Sequence, residues 1–401
     1  MTIRLMPRYH GLKMNPFYEK HNHENVGESR QMLLEILTSE MEEAFNAKSP
    51  FIISLLGAVG VGKSFTLKQL SKYLGDPSHF KEPKKVMTVI FEATQSGPPT
   101  KYIEYLFHSM IKRIGKKGLE TIRREFNEKY QEEEYEEVLS DIDINFKNAF
   151  LKFNDASKQN IIIDWLTGER INLRDLQKIG INIKIENATA TLEAFSSFSK
   201  LLKKVDYVGV ILFIDEAEEL ALSGTVKLVN VLTQIKKVFE ESKNKLSDDE
   251  EGFVPLIFCL SFTPGTYQLI TGAETAIKES GRTGSAGLST FLRRIGREYY
   301  IDPLTKEELM ELFNLLLNSV KEHSSTTYKP FDGDAVAYLA DISQGIPGTL
   351  LDYARNILQF ADDEKIDRIT LDIATKCLIE RGLIPEEGLS SSGEDVEEVD
   401  I

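Results

Sequence analysis

Residues 51–64 read Phe51-Ile52-Ile53-Ser54-Leu55-Leu56-Gly57-Ala58-Val59-Gly60-Val61-Gly62-Lys63-Ser64. The run Phe51 to Leu56 is short, rich in isoleucine and closed by glycine, which predicts a buried strand rather than a helix. It passes directly into Gly57-x-x-x-x-Gly62-Lys63-Ser64, the spacing of a phosphate-binding loop. Gly57, Gly60 and Gly62 let the backbone curl until successive N–H groups face a β-phosphate, and the following helix adds the positive end of its dipole. Lys63 is long enough for the β- and γ-phosphates, and the Ser64 hydroxyl suits Mg²⁺. From Lys63 to Leu74, Leu67, Leu70 and Leu74 fall at helical spacing ahead of Gly75, a helix stop. The residues expected around a nucleotide are therefore Gly57, Ala58, Val59, Gly60, Val61, Gly62, Lys63, Ser64 and Phe65, with ATP and Mg²⁺ as cofactors.

A second chemical signal lies between Gly209 and Ala217, where the apolar residues Val210 to Ile214 end in Asp215-Glu216. A fully apolar strand predicts a central position in a parallel sheet, and its C-terminal edge lines the crevice where ligands bind. In that setting Asp215 would hold Mg²⁺ through water, and Glu216 would orient and activate an attacking water. The pair separates an ATPase from a small-molecule kinase, which would aim a carboxylate at an acceptor hydroxyl instead. Thr263 stands just past a third apolar run, Val254 to Phe262. Its hydroxyl either touches the γ-phosphate or the attacking water, or serves as a turn residue at the strand end.

The remaining chain sorts into elements by periodicity. A helix is predicted from Glu28 to Ala47, a strand from Val86 to Phe91, a helix from Lys101 to Ile114 and a strand from Glu298 to Ile301. Helical stretches are also expected at 142–153, 161–166, 192–202 and 226–239. Five strands alternating with helices make a parallel sheet with helices on both faces. The segment from Gly115 to about Asp206 is too long for a simple crossover and reads as an insertion packed on the main domain. Within it Lys112, Arg113, Lys116, Lys117, Arg123 and Arg124 form either a solvated helix face or a basic strip for DNA. After Pro303 the pattern is helical only, opening on the capping box Thr305-x-x-Glu308 and continuing in helices after Asp332, from Pro347 and from about Thr370. The expected domains are a nucleotide-binding core over 1–303 with the helical insertion at about 101–206, a helical lid over 304–384, and a disordered acidic tail over 385–401.

Composition bounds the function. The chain has 401 residues, 48 basic against 63 acidic, for a net charge of -15. Nucleic-acid contact would therefore need a local patch. Cys259 and Cys377 lack metal-ligand spacing and fit a reducing cytoplasm, and His21 with His23 reads as a solvated loop. No apolar run is long enough to predict membrane insertion.

A phosphate loop, five strand signals in this order and a following four-helix unit resemble the AAA+ ATPases over roughly residues 12 to 383. Within them the chain resembles the initiator or origin-recognition-like branch, through Asn15-Pro16-Phe17 ahead of the first helix, Gly57 to Ser64, Asp215-Glu216 and the lid. It also resembles the ATP-binding proteins of BREX-type phage-defence loci, through Trp165-Leu166-x-Gly168 placed before Tyr207-x-Gly209-Val210-x-Leu212-x-x-Asp215-Glu216-Ala217-Glu218. The resemblance implies an AAA+ three-layer αβα core with a parallel five-stranded sheet and a small all-helical lid. It adds Pro16 and Phe17 to the nucleotide contacts, makes Thr263 sensor 1, and makes Arg293 or Arg294 a finger for a neighbouring subunit's γ-phosphate. It implies an oligomer with shared ATP sites, and DNA or a DNA-bound protein as partner. The sequence departs from the pattern at Gly345-Ile346-Pro347-Gly348, where the resemblance calls for arginine at the fourth position. Arg355 stands seven residues on along the same helix face, and no winged-helix pattern follows the lid. Three functions remain: an ATP-driven machine acting on DNA or a DNA-bound complex, a nucleotide-gated scaffold with little hydrolysis, and a P-loop kinase, which Glu216 after Asp215 disfavours.

Overall fold

Phe51–Leu56 (β1), Lys85–Glu92 (β2), Tyr207–Asp215 (β3), Leu256–Phe262 (β4) and Arg297–Tyr300 (β5) lie in one sheet of order β2-β3-β4-β1-β5, every pair parallel. The computed structural model describes residues 12, 15–17, 27–80, 82–93, 101–217, 219, 233–241, 253–268, 272, 297–320 and 329–385. The helices are α1 (Glu28–Asn46), α2 (Lys63–Gly75), α3 (Tyr102–Lys129), α4 (Tyr135–Val138), α5 (Ile144–Lys152), α6 (Ala156–Thr167), α7 (Leu173–Lys178), α8 (Ala188–Lys204), α9 (Lys306–Val320), α10 (Gly333–Ile342), α11 (Pro347–Asp363) and α12 (Leu371–Glu380). Residues 233–241, the end of the helix expected at 226–239, are helical. Arg293, Arg294, His21, His23 and the tail from residue 386 lie outside the described residues.

Leu33–Ala58 and Lys63–Ile301 make up one compact unit, and Met1–Met32, Val59–Gly62 and Asp302–Ile401 the other. In the first, the two-residue period of the strands explains the three layers. Val210, Leu212 and Ile214 of β3 join Leu256, Phe258 and Leu260 of β4 in a cluster with Phe107 of α3 and Phe198 of α8. The alternate residues Ile211, Phe213, Ile257 and Cys259 are also fully buried, on the opposite face. There α2 packs on β2, with the Thr88 hydroxyl donating to the Ser71 carbonyl at 3.1 Å. A sheet covered on both faces requires near-continuous apolar strands, and that is how β1, β3 and β4 read.

Gly209 has a packing reason. A Cβ there would lie 2.2 Å from Cε1 of Phe45 on α1, so the ring rests directly on the β3 backbone. Gly209→Val is expected to destabilise the chain by about 1–3 kcal/mol through overpacking, read as a lower midpoint in thermal or denaturant unfolding.

The long segment between β2 and β3 shares the core of the sheet. Phe146, Phe150, Trp165, Leu176 and Ile181 belong to the same buried cluster as β3 and β4. Trp165 donates Nε1–H to the Ile183 carbonyl at 2.9 Å, and Gly168, with φ 72°, is the left-handed cap that ends α6. The helix begun near Lys101 does not stop at Ile114: it breaks at Gly115 (φ 64°, ψ 177°) and resumes to Lys129. The resumed turns bear on the two readings of the basic residues between 112 and 124. Arg123 is 4% exposed, with its guanidinium 4.8 Å from the Phe150 ring centroid, 5.0 Å from that of Tyr135 and 5.7 Å from that of Phe126. Burial lowers its pKa, and cation–π contact with the three rings replaces solvent. Lys112 pairs with Glu169 at 2.8 Å, and Lys116 and Arg124 pair with Glu120 and Glu128, both at 3.8 Å.

The second unit is helical and has its own core, in which Phe17, Phe313 and Phe331 stack with centroids 4.9, 6.1 and 5.0 Å apart. The capping box forms as expected: Glu308 Oε2 accepts from the Thr305 N–H at 2.8 Å, and the Glu308 N–H donates to Thr305 Oγ1 at 3.2 Å.

Candidate nucleotide site

In the sheet-bearing unit, β1, β3 and β4 end together, because the register pairs Leu56 with Phe262 and Ile214 with Leu260. The residues just beyond those ends carry the chemistry. The Gly57 N–H donates to the Phe262 carbonyl at 3.2 Å, tying the start of the loop to the end of β4. Lys63, the first residue of α2, is 8% exposed, and its Nζ donates to the carbonyls of Gly57 at 3.0 Å and Ala58 at 3.2 Å. The ammonium is thus folded back on the first turn of its own loop, at the N-terminus of α2 where anions are stabilised. Ser64 and Phe65 follow it and are partly buried.

Asp215 and Glu216 differ in environment. Asp215 is buried, and its Oδ1 accepts from the Ser261 hydroxyl at 2.7 Å and from the Glu216 N–H at 3.0 Å. Glu216 is exposed and has φ 52°, a left-handed backbone that a non-glycine residue adopts only when its surroundings hold it there. Hydrogen bonds to Ser261 help to hold it. Its N–H also lies 3.1 Å from Ser261 Oγ, and the Ala217 N–H donates to the Ser261 carbonyl at 3.0 Å. Thr263, one residue past β4, donates its hydroxyl to Thr266 Oγ1 at 2.9 Å, and its carbonyl accepts from the Tyr267 N–H.

In the helical unit the loop tip, Val59–Gly62, is gripped through its backbone. The Gly348 N–H at the start of α11 donates to the Gly60 carbonyl at 2.9 Å. Arg30, in the first turn of α1, donates Nη2–H to the Val61 carbonyl at 2.6 Å. Gly60 and Gly62 have φ 77° and 112°, the positive values that the curl of such a loop requires. Burial lowers the Arg30 guanidinium to about 10, with Glu308 drawing it back up, so it stays cationic at neutral pH. Asn15, Pro16 and Phe17 are buried in this unit, Asn15 Nδ2 donating to the Arg355 carbonyl at 3.4 Å and Phe17 filling the aromatic core. Arg355 forms an ion pair with Asp352.

Arg30 and Ser261 are additions that sequence reading passed over. Each carried a signal. A cation in the first turn of a helix works against the helix dipole, and a serine interrupts the otherwise apolar run Leu256 to Phe262.

The Aeropyrum pernix ORC2 protein in its ADPNP-ADP complexes is similar to this chain with a TM-score of 0.51 at 14% identity, over 91% of this chain and 71% of that one. Its ADP form gives 0.50 at 12% identity, over 91% and 72%. The fold is that of the AAA+ ATPases. A family model described as "BREX system ATP-binding protein BrxC/D" matches residues 124–246 of this chain, a span that includes Trp165, Gly168 and the stretch from Tyr207 to Glu218. Drosophila ORC bound to DNA is similar at 13% identity with a TM-score of 0.49, over 91% of this chain and 64% of that one, so this chain spans less than two thirds of its length. No curated protein matches.

The residues present fit the groups that an AAA+ fold implies. Both hydrogen bonds to Asp215 fall on Oδ1, which leaves Oδ2 for a cation or its water. Among the described residues no group of three or more His, Cys, Asp or Glu is gathered for a metal. A site of one serine hydroxyl and one carboxylate suits Mg²⁺, which keeps waters and takes its other ligands from phosphate.

Proposed function

We propose that this chain binds ATP with Mg²⁺ at residues 57–65 and hydrolyses it, working as an oligomer in the cytoplasm on DNA or on a DNA-bound protein complex. The observation that carries the reading is that Lys63, after β1, and the Asp215-Glu216 pair, at the end of β3, stand at the same C-terminal edge of the sheet on either side of β4. Lys63 would hold the β- and γ-phosphates, and Ser64 and Asp215 would hold Mg²⁺, which supplies charge neutralisation at the phosphates when bound. Glu216, exposed beside a buried partner, would take the proton of the attacking water, with Thr263 within the same strand-end cluster. The core over 1–303, the lid over 304–384 and the acidic tail follow from the same reading, as do Pro16 and Phe17 beside the nucleotide. The DNA arm draws on the ORC and BREX likenesses, since the charge of -15 gives it no general support.

ATP turnover with and without duplex DNA, measured over a range of protein concentrations, tests the proposal. Stimulation by DNA and a specific activity that rises with concentration are expected. The arginine-finger assignment has its own test. Arg293→Ala/Arg294→Ala chains and Glu216→Gln chains should each be inactive, and activity should return on mixing, because an arginine-deficient site then gains a neighbour with intact arginines. Full activity of the arginine variant alone removes the finger.

One observation favours the scaffold reading. A Cβ at Gly348 would meet the Gly60 Cα at 2.9 Å, so the position where the family resemblance calls for arginine has no room for a side chain. Slow turnover combined with a nucleotide-dependent change in solution mass would decide for it.

A further inference from the structure

The tip of the phosphate loop is held by two carbonyl contacts, at successive residues. In a trans peptide the C=O and the N–H of the next residue point in opposite directions. Anchoring the Gly60 carbonyl on the Gly348 N–H and the Val61 carbonyl on Arg30 therefore fixes where the Val61 and Gly62 N–H groups point. Those are two of the amides that a phosphate nest needs. The grip is tight on both sides. A Cβ on Gly62 would lie 2.8 Å from Arg30 Nη1, and one on Gly60 3.1 Å from Ile346 Cγ2. Arg30 is 7% exposed, and its Nε has no hydrogen-bond partner. A buried cation in the first turn of a helix carries both a desolvation cost and a dipole cost, which the Val61 carbonyl and the attraction of Glu308 offset in part, since burial still lowers its pKa. Such a residue needs a reason beyond packing.

We propose that Arg30 is a positioning residue for the phosphate loop, setting the amides that take the β-phosphate of a nucleoside di- or triphosphate, with the Gly348 N–H as its counterpart on the other side of the tip. This rests on the ATP reading above. It makes nucleotide affinity sensitive to any partner that shifts α11 or the start of α1, a coupling that needs no side chain at position 348.

The test is titration calorimetry with MgATP and with MgADP on the full chain, beside nucleotide-free melting curves. Arg30→Met should bind both nucleotides about tenfold more weakly or worse, the range for losing a hydrogen bond from a charged donor. Arg30→Lys, which keeps one charged donor for the Val61 carbonyl, should recover much of the loss. Gly348→Ala, which pushes on Gly60 from the opposite side, should weaken both nucleotides by a similar factor, and it decides the matter if Arg30→Met melts early. Parental affinity in both Arg30→Met and Gly348→Ala overturns the proposal, and so does a lysine variant as weak as the methionine one. Failure of the ATP reading looks different: the parental chain then binds neither nucleotide, or Lys63→Ala binds them as well as the parent does.

Discussion

Lys63→Ala should abolish measurable ATP binding in titration calorimetry while leaving the chain folded. Removing one member of a buried, hydrogen-bonded charge contact costs about 2–5 kcal/mol, roughly 30-fold to several-thousand-fold in affinity. Lys63 is the only cation in the sequence of residues 57–65, and it is already desolvated at 8% exposure. Its present acceptors, the Gly57 and Ala58 carbonyls, show that Nζ reaches across the first half of the loop. A nucleotide would exchange those two neutral acceptors for phosphate oxygens, and the charge-assisted bonds gained are about twice as strong. Unchanged affinity in the alanine variant would sink the nucleotide assignment as a whole.

Glu216→Gln separates binding from chemistry. The amide keeps the size of the carboxylate but cannot accept a proton from water, so turnover should fall by about 10²- to 10⁴-fold while calorimetric affinity stays at the parental level. Two hydrogen bonds at residue 216 come from its own backbone N–H, to Asp215 Oδ1 and Ser261 Oγ, and glutamine retains both. Its φ of 52° is likewise a property of the backbone. Parental turnover in this variant would assign the base to another residue.

Much of the sheet was legible because strands covered on both faces must be apolar along nearly their whole length, and β1, β3 and β4 are, with Ser54 and Ser261 as the interruptions within β1 and β4. The phosphate loop and the capping box were legible because their chemistry is local: a few residues at fixed spacing satisfy one another. Arg123 shows the limit. Its charge suggested a surface strip with Lys112, Lys116 and Arg124, and only the return of Phe150 and Tyr135 against α3 revealed an aromatic cage instead. Arg30 was hidden for the same reason, since Val61 and Arg30 meet through space across thirty-one positions of sequence. The strand order was equally out of reach, because parallel pairing is set by long-range docking and leaves no mark on any single strand.

That strand order bears on how the chain is made. β1 takes its place between β4 and β5, with Phe51 beside Ile257 and Ile53 beside Arg297. A ribosome makes the loop sequence before either neighbour of its strand, since β4 begins only at Leu256 and β5 at Arg297. Loop-closure entropy over such a span is met late in folding, and long-range parallel pairing is slow. A nascent chain that ends before Leu256 holds the complete phosphate-loop motif on an unpaired strand, so nucleotide capture should be a late event in biogenesis, after β4 has docked.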